Sequence, residues 1–551
     1  MEPFSLTAVF VVGLAFAFLD AFGIGANDVS NSFSTSVASK SLTLKQACII
    51  AIFTEFFGAV LLGSHTAKTI RDGIINLSEF KGEQDILMVG MMCALIGSST
   101  WVLTATKFGL PVSTTHSIIG ATIGIGIATH GFGVVNWGWA GKGVLQIITS
   151  WFLSPVAAGI VGAIIYNSVK YLVLKRRNPF KSGLRNIPFY FFITIAIIVF
   201  FIIYKGAPGL NLSKLGFPTI VGITIGFSLL AALFSVIFYV PWIKRIIKGN
   251  EDLRFYHIPF IHFIGERKKT TMSSIEEGLN NTKDTYYEKN ITNEMNQSVG
   301  DISDYYLNSN KTINNNSNFN NKDAELYNNK LKNEETTASK KMKISKILSN
   351  GINKEIADYK SDELKGMHDA AIRYDDDTEK LYSFLQIFTA SFASFAHGSN
   401  DVANAVGPLT TIYYIWHTGS DPSSSLSIPI WILIMCALAI NIGLVTYGYN
   451  VMRSLGNKIT LLTPTRGFCV ELSACLTVLS CSRLSLPVST THCITGSTTA
   501  IGLCNGNTKS VNWKLLGFCF FSWLLTLPVA GLIAGIMFKI IYPIVYYYGI
   551  L

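Results

Sequence analysis

Two stretches of the chain repeat one polar signature inside apolar surroundings. Gly25-Ala26-Asn27-Asp28-Val29-Ser30-Asn31 is matched by Gly398-Ser399-Asn400-Asp401-Val402-Ala403-Asn404. Leu110-Pro111-Val112-Ser113-Thr114-Thr115-His116 is matched by Leu486-Pro487-Val488-Ser489-Thr490-Thr491-His492. The oxygens of Asp28, Asp401, Asn27 and Asn400 are hard ligands, suited to a hard cation such as Na⁺. The second motif reads as a helix start. Proline suits the first turn, and the Ser and Thr hydroxyls sit beside amides that a helix leaves without partners. Such an end attracts anions. Ser113, Thr114, Thr115, Ser489, Thr490 and Thr491 are therefore candidates to hold a tetrahedral oxyanion, with Asn27 and Asn400 beside them. His116, His492, Asn31 and Asn404 are placed to support the same site.

Two glutamates extend the cation set. Glu55, in Thr54-Glu55-Phe56-Phe57-Gly58, and Glu471, in Val470-Glu471-Leu472-Ser473, lie in apolar runs. A carboxylate there must meet a cation, a base or a proton. Asp20 is a lesser candidate because it falls near the end of an apolar run, and Arg466 reads as a loop anchor, an interfacial side chain or a direct anion contact.

The elements that position these groups must cross a membrane. The 551 residues are 49% hydrophobic and only 14% charged, against about 25% charged in soluble domains, and the mean hydropathy is +0.39. Apolar segments begin near Leu6, Gln46, Ile86, Gly109, Gly143, Ile187, Pro218, Glu379, Ile428, Leu461, Leu484 and Leu515, about twelve spans of an all-α polytopic protein. Those starting at Gly109 and Leu484 are rich in Gly, Ser and Thr and read equally as half-helices or re-entrant segments. Gly25, Ala26, Gly398 and Ser399 predict helix breaks that expose carbonyl oxygens.

The matching motifs keep their order and nearly their spacing, and two further pairs join them: Val135-Asn136-Trp137 with Val511-Asn512-Trp513, and Pro155-Val156-Ala157 with Pro528-Val529-Ala530. The chain divides into a first repeat (1–170), two additional spans (171–243), an Asn/Lys-rich loop expected to be disordered (244–378) and a second repeat (379–551). Basic residues Lys170, Lys175, Arg176, Arg177, Lys181 and Arg185, and Lys244, Arg245 and Lys248 at the start of the loop, place both regions in the cytoplasm. Counting spans outward puts both termini outside and gives the repeats inverted topology, the plan of many secondary transporters.

Other classes find little support. The net charge of +10 sits in loops beside apolar segments, as membrane topology rather than nucleic-acid binding requires. The nine cysteines show no metal-like spacing, and neither a phosphate-binding loop nor a hydrolase motif is present, so no enzyme and no cofactor are expected.

The duplicated Asn-Asp and Pro-Val-Ser-Thr-Thr-His motifs, the two intramembrane glutamates and the long central loop resemble the inorganic phosphate transporter (PiT) family of sodium-phosphate symporters. The resemblance covers both repeats. It implies symport of inorganic phosphate with Na⁺ by alternating access, with those motifs binding substrate and ion, in a multi-pass protein of the plasma membrane that leaves a homo-oligomer open. Proton-coupled phosphate or sulfate transport, or a non-transporting sensor of the same fold, are the rival readings.

Overall fold

The computed structural model describes residues 4, 6–139, 143–205, 215–266, 362–422, 427–483 and 488–547. Most of the Asn/Lys-rich stretch, 267–361, and the residues 484–487 that include Pro487 lie outside the described residues. The described secondary structure is helical, with one isolated antiparallel bridge, Ile75 to Val135.

The first part of the chain runs through α1 (Thr7–Asn27), α2 (Val29–Ala38), α3 (Leu44–Gly73), α4 (Gln84–Lys107), α5 (Thr114–His130), α6 (Val144–Val169), α7 (Pro179–Lys205), α8 (Phe217–Phe234) and α9 (Val240–Lys248). After the gap come α10 (Asp362–Asp369), α11 (Asp376–Lys380), α12 (Ser383–Thr418), α13 (Ile430–Tyr447), α14 (Tyr449–Ile459), α15 (Pro464–Arg483), α16 (Thr490–Leu503) and α17 (Trp513–Tyr547). Every expected span coincides with a helix. Among the described residues, eight helical segments are long and apolar enough to cross a membrane, short of the expected twelve. The other four are α5, α12, α15 and α16, which carry Thr114, Asp401, Glu471 and Thr490. The polar residues that make them interesting, together with the shortness of α5 and α16, take them below that criterion.

The helices of the two copies pack across one another. α1 lies on α13, and α3 lies on α12; α5 lies on α17, and α6 lies on α16. Each crossing is closed by glycine. A Cβ on Gly25 would stand 1.8 Å from the Ile440 carbonyl oxygen, and one on Gly443 1.9 Å from that of Phe22. On Gly58 and Gly398 it would stand 2.1 Å from the Phe395 oxygen and 2.4 Å from the Glu55 oxygen. Gly120, which heads the crossing with α17, comes as close to Leu527 as its sequence counterpart Gly496 comes to Pro155: 2.3 and 2.2 Å. Without a hydrophobic drive between helices in lipid, close backbone approach at small residues is what holds such pairs.

This corrects one expectation. Gly25 and Gly398 serve helix contact rather than helix breaking. The interruption at Asp28 is a single residue that keeps helical angles (φ −88°, ψ −34°), and Asp401 lies inside the unbroken helix α12. No wide unwound segment bares carbonyls at either position.

A second difference concerns the polar stretch, whose two described ends are folded. Residues 241–266 belong to a unit separate from the helices of the two repeats. In it Arg245 grips Glu251 through two hydrogen bonds of 2.9 and 2.6 Å and donates to the carbonyls of Ile261 and Ile264. At the other end, Glu379 accepts from the backbone amide and hydroxyl of Thr465, both at 3.0 Å. Arg466, wholly buried, donates to the carbonyls of Leu461 and Ile372 and to Asn505. Of the three readings offered above, these contacts match the loop anchor.

The packing makes a stability prediction. Gly25→Ala forces the α1–α13 crossing apart and lowers thermal stability by about 1–3 kcal/mol or more, read as a lower melting temperature of purified protein. Gly517→Ala, where a Cβ meets nothing within 4 Å, leaves it unchanged.

Candidate functional site

Asp28 stands at the junction of α1 and α2, beside the start of α5. One carboxylate oxygen accepts from the Thr114 amide at 3.2 Å and its hydroxyl at 2.5 Å. The other accepts from the Thr491 hydroxyl at 2.9 Å. Asp28 thus joins the helix starts of both copies, since Thr491 belongs to α16. Ser113 and Ser489 hold extended backbone and cap their helices, accepting from the amides of His116 and His492 at 3.2 and 3.4 Å.

Asp401 faces a different neighbour. Its carboxylate lies 2.8 Å from Nε2 of His397, one turn earlier on α12, and accepts from the Asn400 amide at 3.0 Å. The other ring nitrogen of His397 is 3.0 Å from Glu55 on α3. Glu55 is held in turn by Ser394 at 2.8 Å, which shares a 2.7 Å contact with Thr54. All three ionisable groups are buried. Oxygens of Asp28 and Asp401 and a nitrogen of His397 lie within 4.8 Å of one another. The two aspartates therefore share one cluster, fed by both copies.

The asparagines three residues beyond each aspartate reach across. Asn31 donates to Thr491 at 2.7 Å, and Asn404 donates to Thr114 and Thr115 at 3.3 and 3.2 Å. The side-chain oxygens of both are buried and have no hydrogen-bond partner. Two amide oxygens from matching positions are left for a ligand, an arrangement that suits a cation held by carboxylates and carbonyls.

With that geometry in place the comparisons are decisive. The phosphate transporter family matches residues 24–534. The chain belongs to the phosphate transporter family. A phosphate-repressible phosphate permease of Neurospora crassa is 37% identical, the alignment covering 96% of each chain. Sodium-dependent phosphate transporter 1 of Xenopus tropicalis is 31% identical over 97% of this chain and 95% of its own. A solved structure titled the sodium-dependent phosphate transporter matches 98% of this chain and all of its own, with a TM-score of 0.68 at 28% identity. The chain is a multi-pass membrane protein and, as a member of a family of permeases, not an enzyme.

Within this phosphate transporter the remaining expected residues are unequally placed. Asn27 is turned to the loop before α5: it donates to Thr106 and the Leu110 carbonyl, both at 3.0 Å, and accepts from the Val112 amide at 3.1 Å. It shapes the entry to that helix. Thr490 carries a buried hydroxyl without a partner. His116 and His492 meet edge to face at 4.9 Å between Trp151 and Trp523, bringing the two helix starts together at one point. Glu471 lies outside the aspartate cluster, in a cage of its own. It accepts from Thr35, Ser36 and Gln386 on one oxygen and from Thr389 on the other, at 2.5, 2.6, 3.2 and 2.6 Å.

His397 is the functional candidate that sequence reasoning missed. Its signal was its spacing, one helical turn before Asp401 on the same face. Replacing it leaves Glu55 and Asp401 without the group between them. His397→Gln is expected to cost about 3–5 kcal/mol, the scale of breaking one partner of a buried pair. Adding Glu55→Gln recovers most of the loss of thermal stability; a double variant no better than the single contradicts the pairing.

Proposed function

We propose that the chain carries inorganic phosphate into the cell together with Na⁺. The observation that carries this reading is the shared cluster: Asp28 and Asp401, one from each copy, beside two helix starts whose hydroxyls and amides suit an oxyanion. Relatives along nearly the whole chain bear the names of sodium-dependent phosphate transporters, which supports the choice of ions.

The order of events follows from charge. Two carboxylates this close repel an arriving phosphate. Na⁺ ligated by Asp28, Asp401 and the open oxygens of Asn31 and Asn404 offsets that repulsion, with Asn400 alongside. Phosphate then takes donors from Ser113, Thr114, Thr115, Ser489, Thr490 and Thr491, whose helix starts also favour an anion. Glu55 acts through His397, holding it against Asp401. The Glu471 cage, rich in hydroxyls, serves as a separate sodium position. Asn27 is a positioning residue. Empty and fully loaded sites permit the exchange of access between faces, and a half-loaded site does not, which couples the two gradients.

In the membrane we read repeats at 1–170 and 379–551 in opposite orientations, two added spans at 171–243, and the 244–378 stretch on the cytoplasmic face of the plasma membrane with both termini outside. The reciprocal packing of α1 on α13 and α3 on α12 supports this, because each pair repeats the other with the copies exchanged.

Phosphate uptake by cells or proteoliposomes containing the protein should be lost when Na⁺ is replaced by choline at fixed pH. Uptake indifferent to that replacement defeats the sodium reading. Asp28→Asn and Asp401→Asn should each reduce uptake at least about tenfold, a loss of about 1.4 kcal/mol, while the protein still folds. Normal transport by both variants removes the site assignment.

A further inference from the structure

One buried acid takes no part in the machinery described above. Asp20 lies on α1, two turns before Asp28, and is 1% exposed. Neither of its carboxylate oxygens has a hydrogen-bond partner. Its chain neighbours Ala17, Ala21 and Ile24 belong to the main apolar cluster. The Ser98 hydroxyl of α4 lies close enough to act on it as a single donor without meeting full hydrogen-bond geometry, and Cys436 of α13 is the titratable group that faces it. No cationic side chain stands against it among the described residues.

Three states are open to such a carboxylate. An unpaired anion in an apolar interior is too costly to persist. A hard cation collects about six oxygen ligands, and Asp20 with one serine hydroxyl supplies far fewer. A proton needs no further ligands. The duplication makes a separate point. Counting back eight residues from each Asn-Asp aspartate meets Asp20 in the first copy and Ala393 in the second. Asp20 is therefore no part of the duplicated Asn-Asp motif, whose aspartates Asp28 and Asp401 occupy matching positions.

We propose that Asp20 is a proton site in the membrane interior, occupied in the conformation described here. One H⁺ from water joins the carboxylate and forms a neutral carboxylic acid; no other bond changes. The proton leaves only where movement of α1 opens the side chain to water. The packed conformation then needs a proton that sodium and phosphate do not supply, so its population falls as the medium becomes alkaline. Only this consequence for uptake rests on the transport reading.

Two measurements on full-length protein reconstituted in lipid test the proposal. Infrared difference spectra should show the carbonyl stretch of a protonated acid at neutral pH, absent from Asp20→Asn and shifted in Asp20→Glu. The glutamate variant decides the assignment if the asparagine variant does not fold. A band unchanged in whichever variant folds, or a carboxylate signal from Asp20, overturns the proton site. In sodium-driven uptake, the ratio of Asp20→Asn to native protein should rise several-fold from mildly acidic to alkaline medium, phosphate speciation being common to both. A constant ratio overturns the pH linkage. Absence of sodium-dependent uptake in the native protein defeats the transport reading and leaves the infrared band to decide the proton site.

Discussion

Charge buried in a membrane protein has to be answered by donors, cations or protons, and the four acids that the two repeats bring to their polar centre are answered in three ways. Asp28 is met by the hydroxyls of Thr114 and Thr491, Asp401 and Glu55 by the imidazole of His397, and Glu471 by three hydroxyls and an amide. These answers are drawn from helices far apart in the chain. Removing any one leaves a desolvated charge, so the polar groups help to hold the helices in register.

The glycine crossings make those contacts possible. Asp401 reaches Glu55 through His397 because Gly398 and Gly58 let α12 and α3 touch backbone to backbone. The same closeness on the other diagonal, Gly25 against Ile440 and Gly443 against Phe22, sets α1 where Asp28 meets α5. Exchange of partners between copies gives one polar centre with contributions from both. It is only approximately symmetric. Asp28 caps a helix start, whereas Asp401 leans on a histidine that has no counterpart beside Asp28, where Ile24 stands one turn before.

Much of this was legible in the sequence because intramembrane polar residues are expensive and so stand out against apolar surroundings. The all-helical class, the helix starts at Ser113 and Ser489, and the meeting of Asp28 with Thr491 all follow from motif and duplication. The glycines were misread because their effect depends on a partner helix hundreds of residues away. A glycine that permits contact and one that permits a break look alike in one dimension. Asn27 looked like a ligand, since nothing in its neighbours reveals that Thr106 and Val112 claim its amide. His397 hid as a flanking residue, and only the approach of α3 discloses its second carboxylate. The eight strongly apolar helices fall short of twelve for a related reason: a helix that lines a polar centre loses the hydropathy by which a span is recognised.

The two copies build one shared site rather than two equivalent ones. Equilibrium binding of radiolabelled phosphate to the purified, detergent-solubilised protein addresses this directly. The prediction is one phosphate bound per chain in Na⁺ medium, with binding greatly weakened in choline. Two phosphates per chain, or equal binding in the two media, would contradict it.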